Sequence, residues 1–240
     1  MFRFIVVNDL HHADPACTPW MQRLVAHMRA HAPLDFALVL GDLSDTGRPE
    51  SLAAMRDILG GLGSPVFTVP GNHDCDVEGD TRLYAGIFPG QLNYHFRHHG
   101  WQFIGFDSTD GTRWEDTRMR PETLAFLADT AATLDHGAPT IAFTHFPLGE
   151  GVRMRSLDAD AALDRLAQLD LRCVFSGHYH ARTERIHNGT PLITNACCSR
   201  VQDNHDASPE KGYLLCTAHP DGSLEREFIP FSTAADQPDR

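Results

Sequence analysis

The chain has 240 residues, a formal net charge of −12, 42% hydrophobic residues and 22% charged ones, which suits one large domain or two small ones with a full core. So acidic a balance argues against affinity drawn from neutralising nucleic-acid phosphates or anionic lipid, so neither long nucleic acid nor a membrane surface is an expected partner. A local cationic site built on bound metal ions stays open. No apolar segment approaches the ~20 residues of a membrane span, and the chain starts as a strand rather than as a basic region before a signal helix. The expected compartment is the cytoplasm. None of the six cysteines forms a CxxC pair, and Cys173 and Cys216 sit in apolar runs, so the thiols are expected to be reduced and structural.

Taken in order, Phe2 to Val7 reads as a buried strand, and Thr18-Pro19 as the N-cap and first residue of a helix with Trp20, Leu24, Val25 and Met28 on one face. Phe36 to Leu40 is a second strand. Pro49 opens a second helix, carrying Leu52, Met55, Ile58 and Leu59 and stopped by Gly60-Gly61. A third strand runs from Pro65 to Val69. Short connections between these elements imply parallel neighbours with right-handed crossovers. Leu92 to Arg97 and Trp101 to Phe106 then form a hairpin around His98-His99-Gly100, followed by a polar stretch, Asp107 to Arg120, long enough to be a lid or binding loop. Pro121 starts a further helix. Thr140 to Thr144 is a strand, Ala161 to Leu169 a helix and Cys173 to Ser176 a strand. Four alternating segments follow, Thr183 to His187, Pro191 to Thr194, Gly212 to Cys216 and Leu224 to Phe231, with Asn188-Gly189 a hairpin signal between the first two. They read as consecutive antiparallel strands. Residues 1–231 are expected to form one domain and 232–240 a disordered tail. Cys197-Cys198 and the strands after Asn195 are a candidate edge for a homo-oligomer.

Five of these apolar runs end in chemistry. Asp9 and His11 follow the first, Gly41-Asp42 the second, Gly71-Asn72-His73-Asp74 the third, His145 the strand from Thr140, and Gly177-His178-Tyr179-His180 the strand from Cys173. Open α/β sheets bind ligands at the carboxyl ends of their strands, where side chains from separate strands converge. Asp9, His11, Asp42, Asn72, His145, His178 and His180 offer oxygen and nitrogen donors without a thiolate, a set that suits Mn, Fe or Zn. Seven donors exceed one tetrahedral ion but suit two ions bridged by a shared carboxylate, with Asp42 the natural bridge. Such a pair lowers the pKa of a bound water to near neutral and holds both oxygens of an in-line displacement at phosphorus. His73 is the group left over, placed to neutralise a phosphoryl oxygen or protonate the leaving group. Asp74 either orients His73 or closes the turn. Singly, each cluster is explicable as turn chemistry or a structural histidine; together, at five strand ends, they point to metal.

Asp9-Leu10-His11, Gly41-Asp42-Leu43-Ser44-Asp45, Gly71-Asn72-His73-Asp74, His145 and Gly177-His178-Tyr179-His180 resemble the five ordered blocks of the calcineurin-like metallophosphoesterase superfamily, from Met1 to about Asn195. The resemblance implies a four-layer αββα sandwich of two mixed sheets and a dinuclear centre. By analogy Asp9, His11, Asp42 and His180 hold one ion, and Asp42, Asn72, His145 and His178 the other. His73 matches the family's histidine at the phosphoryl group or leaving oxygen. His12, Asp45-Thr46-Gly47 and Asp74 stand where the protein serine/threonine phosphatases carry Gly, Asp-Arg-Gly and Glu, which argues against that branch. Asp107-Ser108 and the helix with Leu124 and Leu127 are similar to the class III cyclic-nucleotide and glycerophosphodiester phosphodiesterases. Thr117-Arg118-Met119 and Thr123 to Leu127 depart from that group's usual pattern beside the suspected lid.

The expected activity is therefore metal-dependent hydrolysis of a small phosphodiester by metal-bound hydroxide. The alternatives are a broad-range phosphomonoesterase and a non-catalytic scaffold on the same fold, as in the retromer subunit. His12 is expected either at the site mouth or as a solvated loop residue, and Arg113 and Arg118 either grip an anion or pair with Glu115 and Asp116.

Overall fold

Phe2, Phe4 and Val6 point to one side of strand β1 (Phe2–Val7) and Ile5 and Val7 to the other, yet all five are buried. A strand covered on both faces loses the polar alternation of a surface strand and reads as a continuous apolar run. β2 (Phe36–Val39) and β3 (Val66–Thr68) extend β1 in parallel, with Val6 opposite Leu38 and Val39 opposite Thr68. The computed structural model describes residues 1–232. The expected tail therefore lies outside the described residues apart from Ser232, which is exposed.

Two mixed sheets stack. The first has the order β11-β10-β1-β2-β3, where β10 is Gly212–Ala218 and β11 is Leu224–Pro230. The second has the order β4-β5-β6-β7-β9-β8, from β4 (Tyr94–His98), β5 (Trp101–Gly105), β6 (Thr140–Phe143), β7 (Leu171–Ser176), β8 (Thr183–His187) and β9 (Thr190–Thr194). Between the sheets lies an aromatic layer in which Phe103 meets the rings of Phe4, Phe36 and Phe96 at 5.7, 5.1 and 4.8 Å. Helices α1 (Thr18–Arg29), α2 (Pro49–Gly60) and α3 (Arg82–Ile87) cover the outer face of the first sheet. Helices α4 (Pro121–Thr133) and α5 (Ala159–Leu166) cover that of the second. This is the four-layer αββα sandwich of two mixed sheets that the resemblance implies.

Several local expectations are corrected. Thr18 is not an N-cap: Asp14 caps a short turn at Pro15–Cys17 by accepting from the Ala16 N–H at 2.7 Å, and the Thr18 hydroxyl meets His12 Nε2 at 3.0 Å. His12 is 3% exposed, so it is not a solvated loop residue, and with its ring turned to Thr18 it lines neither cavity at the centre. The strands after His180 do not run on as one antiparallel series. β8 and β9 pair at Asn188-Gly189, both in the left-handed region, but β9 then lies parallel to β7, while β10 crosses to the first sheet beside β1. Cys197 and Cys198 are buried and β10 is flanked on both sides, so of the candidate edge only β11, the other strand after Asn195, stands at the edge of a sheet. Helix α3 leaves too short a pattern to be read from the chain.

Candidate metal centre

β1, β2 and β3 of one sheet and β6 and β7 of the other end at the same rim, and the segments beyond them carry all seven candidate ligands to one place. Donor atoms of Asp9, His11, Asp42 and His180 lie within 4.8 Å of one another, as do those of Asp42, His145 and His178. Asp42 belongs to both groups, its Oδ2 standing 3.4 Å from His11 Nε2 and 3.5 Å from His145 Nε2. Asn72 Oδ1 is 3.2 Å from His145 Nε2.

The backbone is bent to achieve this. Asp9, His11, Asp42, His178 and His180 all adopt positive φ, between 47° and 63°. Non-glycine residues avoid that region, and strain of this kind gathers at functional sites. Tight approach adds to it: a Cβ on Gly71 would stand 2.1 Å from Asp42 Oδ1, so only glycine lets the third strand's loop close on the carboxylate.

Hydrogen bonds around the rim decide which ring nitrogens face inward. His145 Nδ1 donates to the Leu40 carbonyl at 2.8 Å, His180 Nδ1 to the Asp203 carbonyl at 3.1 Å and His178 Nε2 to the Trp114 carbonyl at 2.8 Å. His11 Nδ1 donates to Asp45 Oδ1 at 3.1 Å. Each imidazole is thereby held in the tautomer whose other nitrogen carries a lone pair toward the centre. Those inner nitrogens face one another, His11 Nε2 and His180 Nε2 at 3.3 Å and His145 Nε2 and His178 Nδ1 at 3.1 Å. Nitrogens this close need a cation between them, either a proton, which the raised His180 would carry on Nε2 between His11 and Asp9, or a metal ion in its place. The donor set therefore fits metal ions.

The charges agree. Burial raises the carboxyls of Asp9 and Asp42, but the surrounding imidazoles outweigh it and hold both below the usual carboxylate range. Burial and the neighbouring His145 push His178 down to about 3, whereas at His180 the adjacent Asp9 overcomes burial and raises it to about 11. His73 stands half-exposed, its ring 4.7 Å from that of His11. Its Nδ1 donates to the Asp45 carbonyl at 2.8 Å, which leaves Nε2 free. Burial lowers His73, but Asp42, Asp45 and Asp74 together raise it above the ordinary imidazole value.

Of the two roles open to Asp74, the structure shows the turn. Its carboxylate accepts from the N–H groups of Gly71, Leu43 and Ser44 at 2.9, 3.2 and 2.8 Å, tying the second and third loops together. Burial and the charge of Asp42 raise it to about 7. Among the described residues the loop arginines do not pair with Glu115 and Asp116: Arg113 lies 3.8 Å from Asp110, and Arg118 meets the same Asp110 through its backbone N–H at 3.2 Å. Sequence reasoning gave no role to Asp45, which orients His11 and receives Gln202 at 3.0 Å, nor to Asn8, whose amide donates to Asp9. Asp45 closes the second block and was legible there. The carbonyls of Trp114 and Asp203 leave no signal, since any residue supplies one.

A family model for calcineurin-like phosphoesterase matches residues 2–182. The chain belongs to that family. As a calcineurin-like phosphoesterase it is a metal-dependent phosphoric ester hydrolase. The phosphoesterase is 29% identical over 213 residues to a 3′,5′-cyclic-nucleotide phosphodiesterase of Nostoc, covering 83% of this chain and 78% of that one. It is 30% identical over 165 residues to a glycerophosphodiester phosphodiesterase of Enterobacter lignolyticus, covering 62% of this chain and 57% of the relative. In three dimensions it is similar to the purple acid phosphatase of yellow lupin, with a TM-score of 0.67 and 16% identity over 95% of this chain and 51% of the other, a likeness of fold. Among the described residues no helix is long and apolar enough to cross a membrane.

Proposed function

We propose that this phosphoesterase hydrolyses a small phosphodiester at a dinuclear centre of Mn, Fe or Zn ions, with residues 1–231 acting as one domain because both sheets donate ligands. Asp9, His11, Asp42 and His180 would hold one ion and Asp42, Asn72, His145 and His178 the other. The observation that carries this is the tethering of four imidazoles by their outer nitrogens, with the inner nitrogens turned on one another around the Asp9 and Asp42 carboxylates. When bound, such an ion pair activates a water at neutral pH and neutralises phosphoryl charge. Asp42 spans the two ligand groups and takes the His73 N–H at 2.9 Å on Oδ1, so the bridging carboxylate and the loop of His73 are positioned together. His73, fixed through Nδ1, presents Nε2 beside the centre. Protonated, it donates to the departing oxygen; a diester needs such a donor because its alcohol leaves as a poor anion. The diester reading follows the named activities of the two relatives. Cytoplasmic residence is part of it, supported by six buried, unpaired cysteines.

The test is elemental metal content together with hydrolysis of a bis-aryl and a mono-aryl phosphate, for wild type, Asn72→Ala and His73→Ala. The expected result is close to two metals and a preference for the bis-aryl ester in the wild type. Asn72→Ala should lose metal, and His73→Ala should keep metal but lose rate by roughly 10²–10⁴-fold. A preference for the mono-aryl ester would make it a monoesterase. A chain that holds no metal after reloading, or that is inert to every ester, would overturn the proposal.

A further inference from the structure

Beside the ligand cluster lies a second cavity, of about 260 Å³, that shares His73 and Trp114 with the cavity of about 150 Å³ over the candidate ligands. Two large apolar side chains bound it in full contact with water: Trp114 is 57% exposed and Val77 95%. The other two tryptophans, Trp20 and Trp101, are 4% and 1% exposed, so the chain elsewhere buries this side chain. Apolar side chains grouped at the rim of a polar site mark a place where a ligand covers them.

The backbone that carries Trp114 is also held still. Its carbonyl takes the His178 Nε2 proton at 2.8 Å. The loop around it is tied on both sides, by the Arg118 N–H to Asp110, by Arg120 to the Gly79 carbonyl, and by the Leu157 N–H to the Thr117 carbonyl. A loop already fixed by its backbone has less freedom to lose on binding, which favours affinity.

The remaining lining selects what can stack there. Asp45, Asp76, Thr46 and Thr112 contribute carboxylates and hydroxyls, and among the described residues no lysine or arginine lines the cavity, His73 being its one cationic group. A second phosphate would meet two carboxylates against that single imidazolium, which the reacting phosphoryl group already engages. A quaternary ammonium is usually enclosed by several aromatic rings, whereas here one indole faces one valine. A flat neutral ring with N–H donors matches both the indole face and the acceptors.

Resting on the phosphodiesterase reading, we infer that this cavity seats the alcohol portion of the substrate and takes a planar heteroaromatic ring of nucleobase type stacked on Trp114, so that nucleoside esters are preferred over glycerol esters. Base stacking on one aromatic side chain changes binding by roughly tenfold.

Trp20 and Trp101 also emit, but they are buried and line neither cavity, so a ligand-dependent change in emission that disappears in Trp114→Phe reports occupancy without any turnover. With metal-loaded protein, adenosine should quench the emission saturably and glycerol should not. By equilibrium dialysis, Trp114→Ala should bind adenosine about tenfold more weakly, and Trp114→Phe should recover most of that loss. In kinetics, kcat/KM for 3′,5′-cyclic AMP relative to glycerophosphoethanolamine should fall about tenfold in Trp114→Ala, mostly through KM. The inference is overturned if adenosine quenches no better than glycerol, if choline quenches in its place, or if Trp114→Ala loses both esters equally. Should the wild type hydrolyse neither diester, the phosphodiesterase reading falls, while the adenosine arm still decides whether the ring site exists.

Discussion

Asp45 offers a demanding test of the metal centre, because it touches no proposed ion yet governs one ligand. Its Oδ1 accepts from His11 Nδ1 at 3.1 Å and from Gln202 at 3.0 Å, and its carbonyl takes His73 Nδ1 at 2.8 Å. The carboxylate is 24% exposed, so its bond to His11 is only partly screened by solvent. Asp45→Ala leaves the backbone carbonyl, and with it the anchor of His73, but frees the His11 ring to rotate or change tautomer. Removing the outer partner of a metal-bound histidine weakens metal binding by roughly 10–100-fold, about 1.4–2.7 kcal/mol, in line with the ~1.5–3 kcal/mol of a hydrogen bond to a charged group. Asp45→Asn keeps an acceptor at the same place and should lose less than the alanine variant. The assay is competition between the protein and a metallochromic chelator, which resolves the affinity of each ion separately. One of two ions should weaken. Equal affinities in Asp45→Ala and wild type would refute the tautomer argument, and an equal loss in Asn and Ala variants would show that charge rather than orientation is what matters.

Two further outcomes follow from other features. Gly71→Ala places a methyl 2.1 Å from Asp42 Oδ1 and 2.5 Å from Asp42 N; it should destabilise by about 1–3 kcal/mol, roughly 3–10 °C in Tm, and deplete metal. Thermal melting and elemental analysis check this, and an unchanged variant would mean that the loops can part freely. Far from the centre, Asp35 accepts from the Arg3 N–H at 3.1 Å and from His98 at 2.9 Å; against the effect of burial these lower its carboxyl below the usual value. A lowered folded pKa contributes stability that is present above the unfolded carboxylate value of ~3.9 and is lost as pH falls through the folded value. Asp35→Asn should therefore be less stable than wild type by about 0.5–1 kcal/mol at pH 6, with the gap closing by about pH 3. Urea midpoints at the two pH values measure it, and a gap that widens on acidification would reverse the sign.

The residues that were legible in the chain share a cause. Asp9, His11, Asp42, Asn72, His145, His178 and His180 each follow an apolar run whose two-sided burial is written in residues such as Phe4-Ile5-Val6, so the chemistry sits at a boundary that composition marks. Helices opened by Pro49 and Pro121 were legible because proline suits the first turn, where its missing N–H costs nothing. Thr18 misled because Asp14, four residues earlier, offers a competing cap. His12 misled because hydrophilicity alone does not report that Thr18 and the Ser44 backbone enclose it.

Local chemistry determined the inventory: which stretches are strands, which donors exist, and that they are of oxygen and nitrogen. It determined this because side-chain periodicity and turn preference act over a few residues. Only the tertiary structure decided which strands go to which sheet and that β10 leaves its neighbours to pair with β1. It alone aimed each ring nitrogen, because that choice rests on carbonyls such as those of Leu40, Trp114 and Asp203, which are distant in sequence and independent of residue type. Partners of that kind become neighbours only when the two sheets pack.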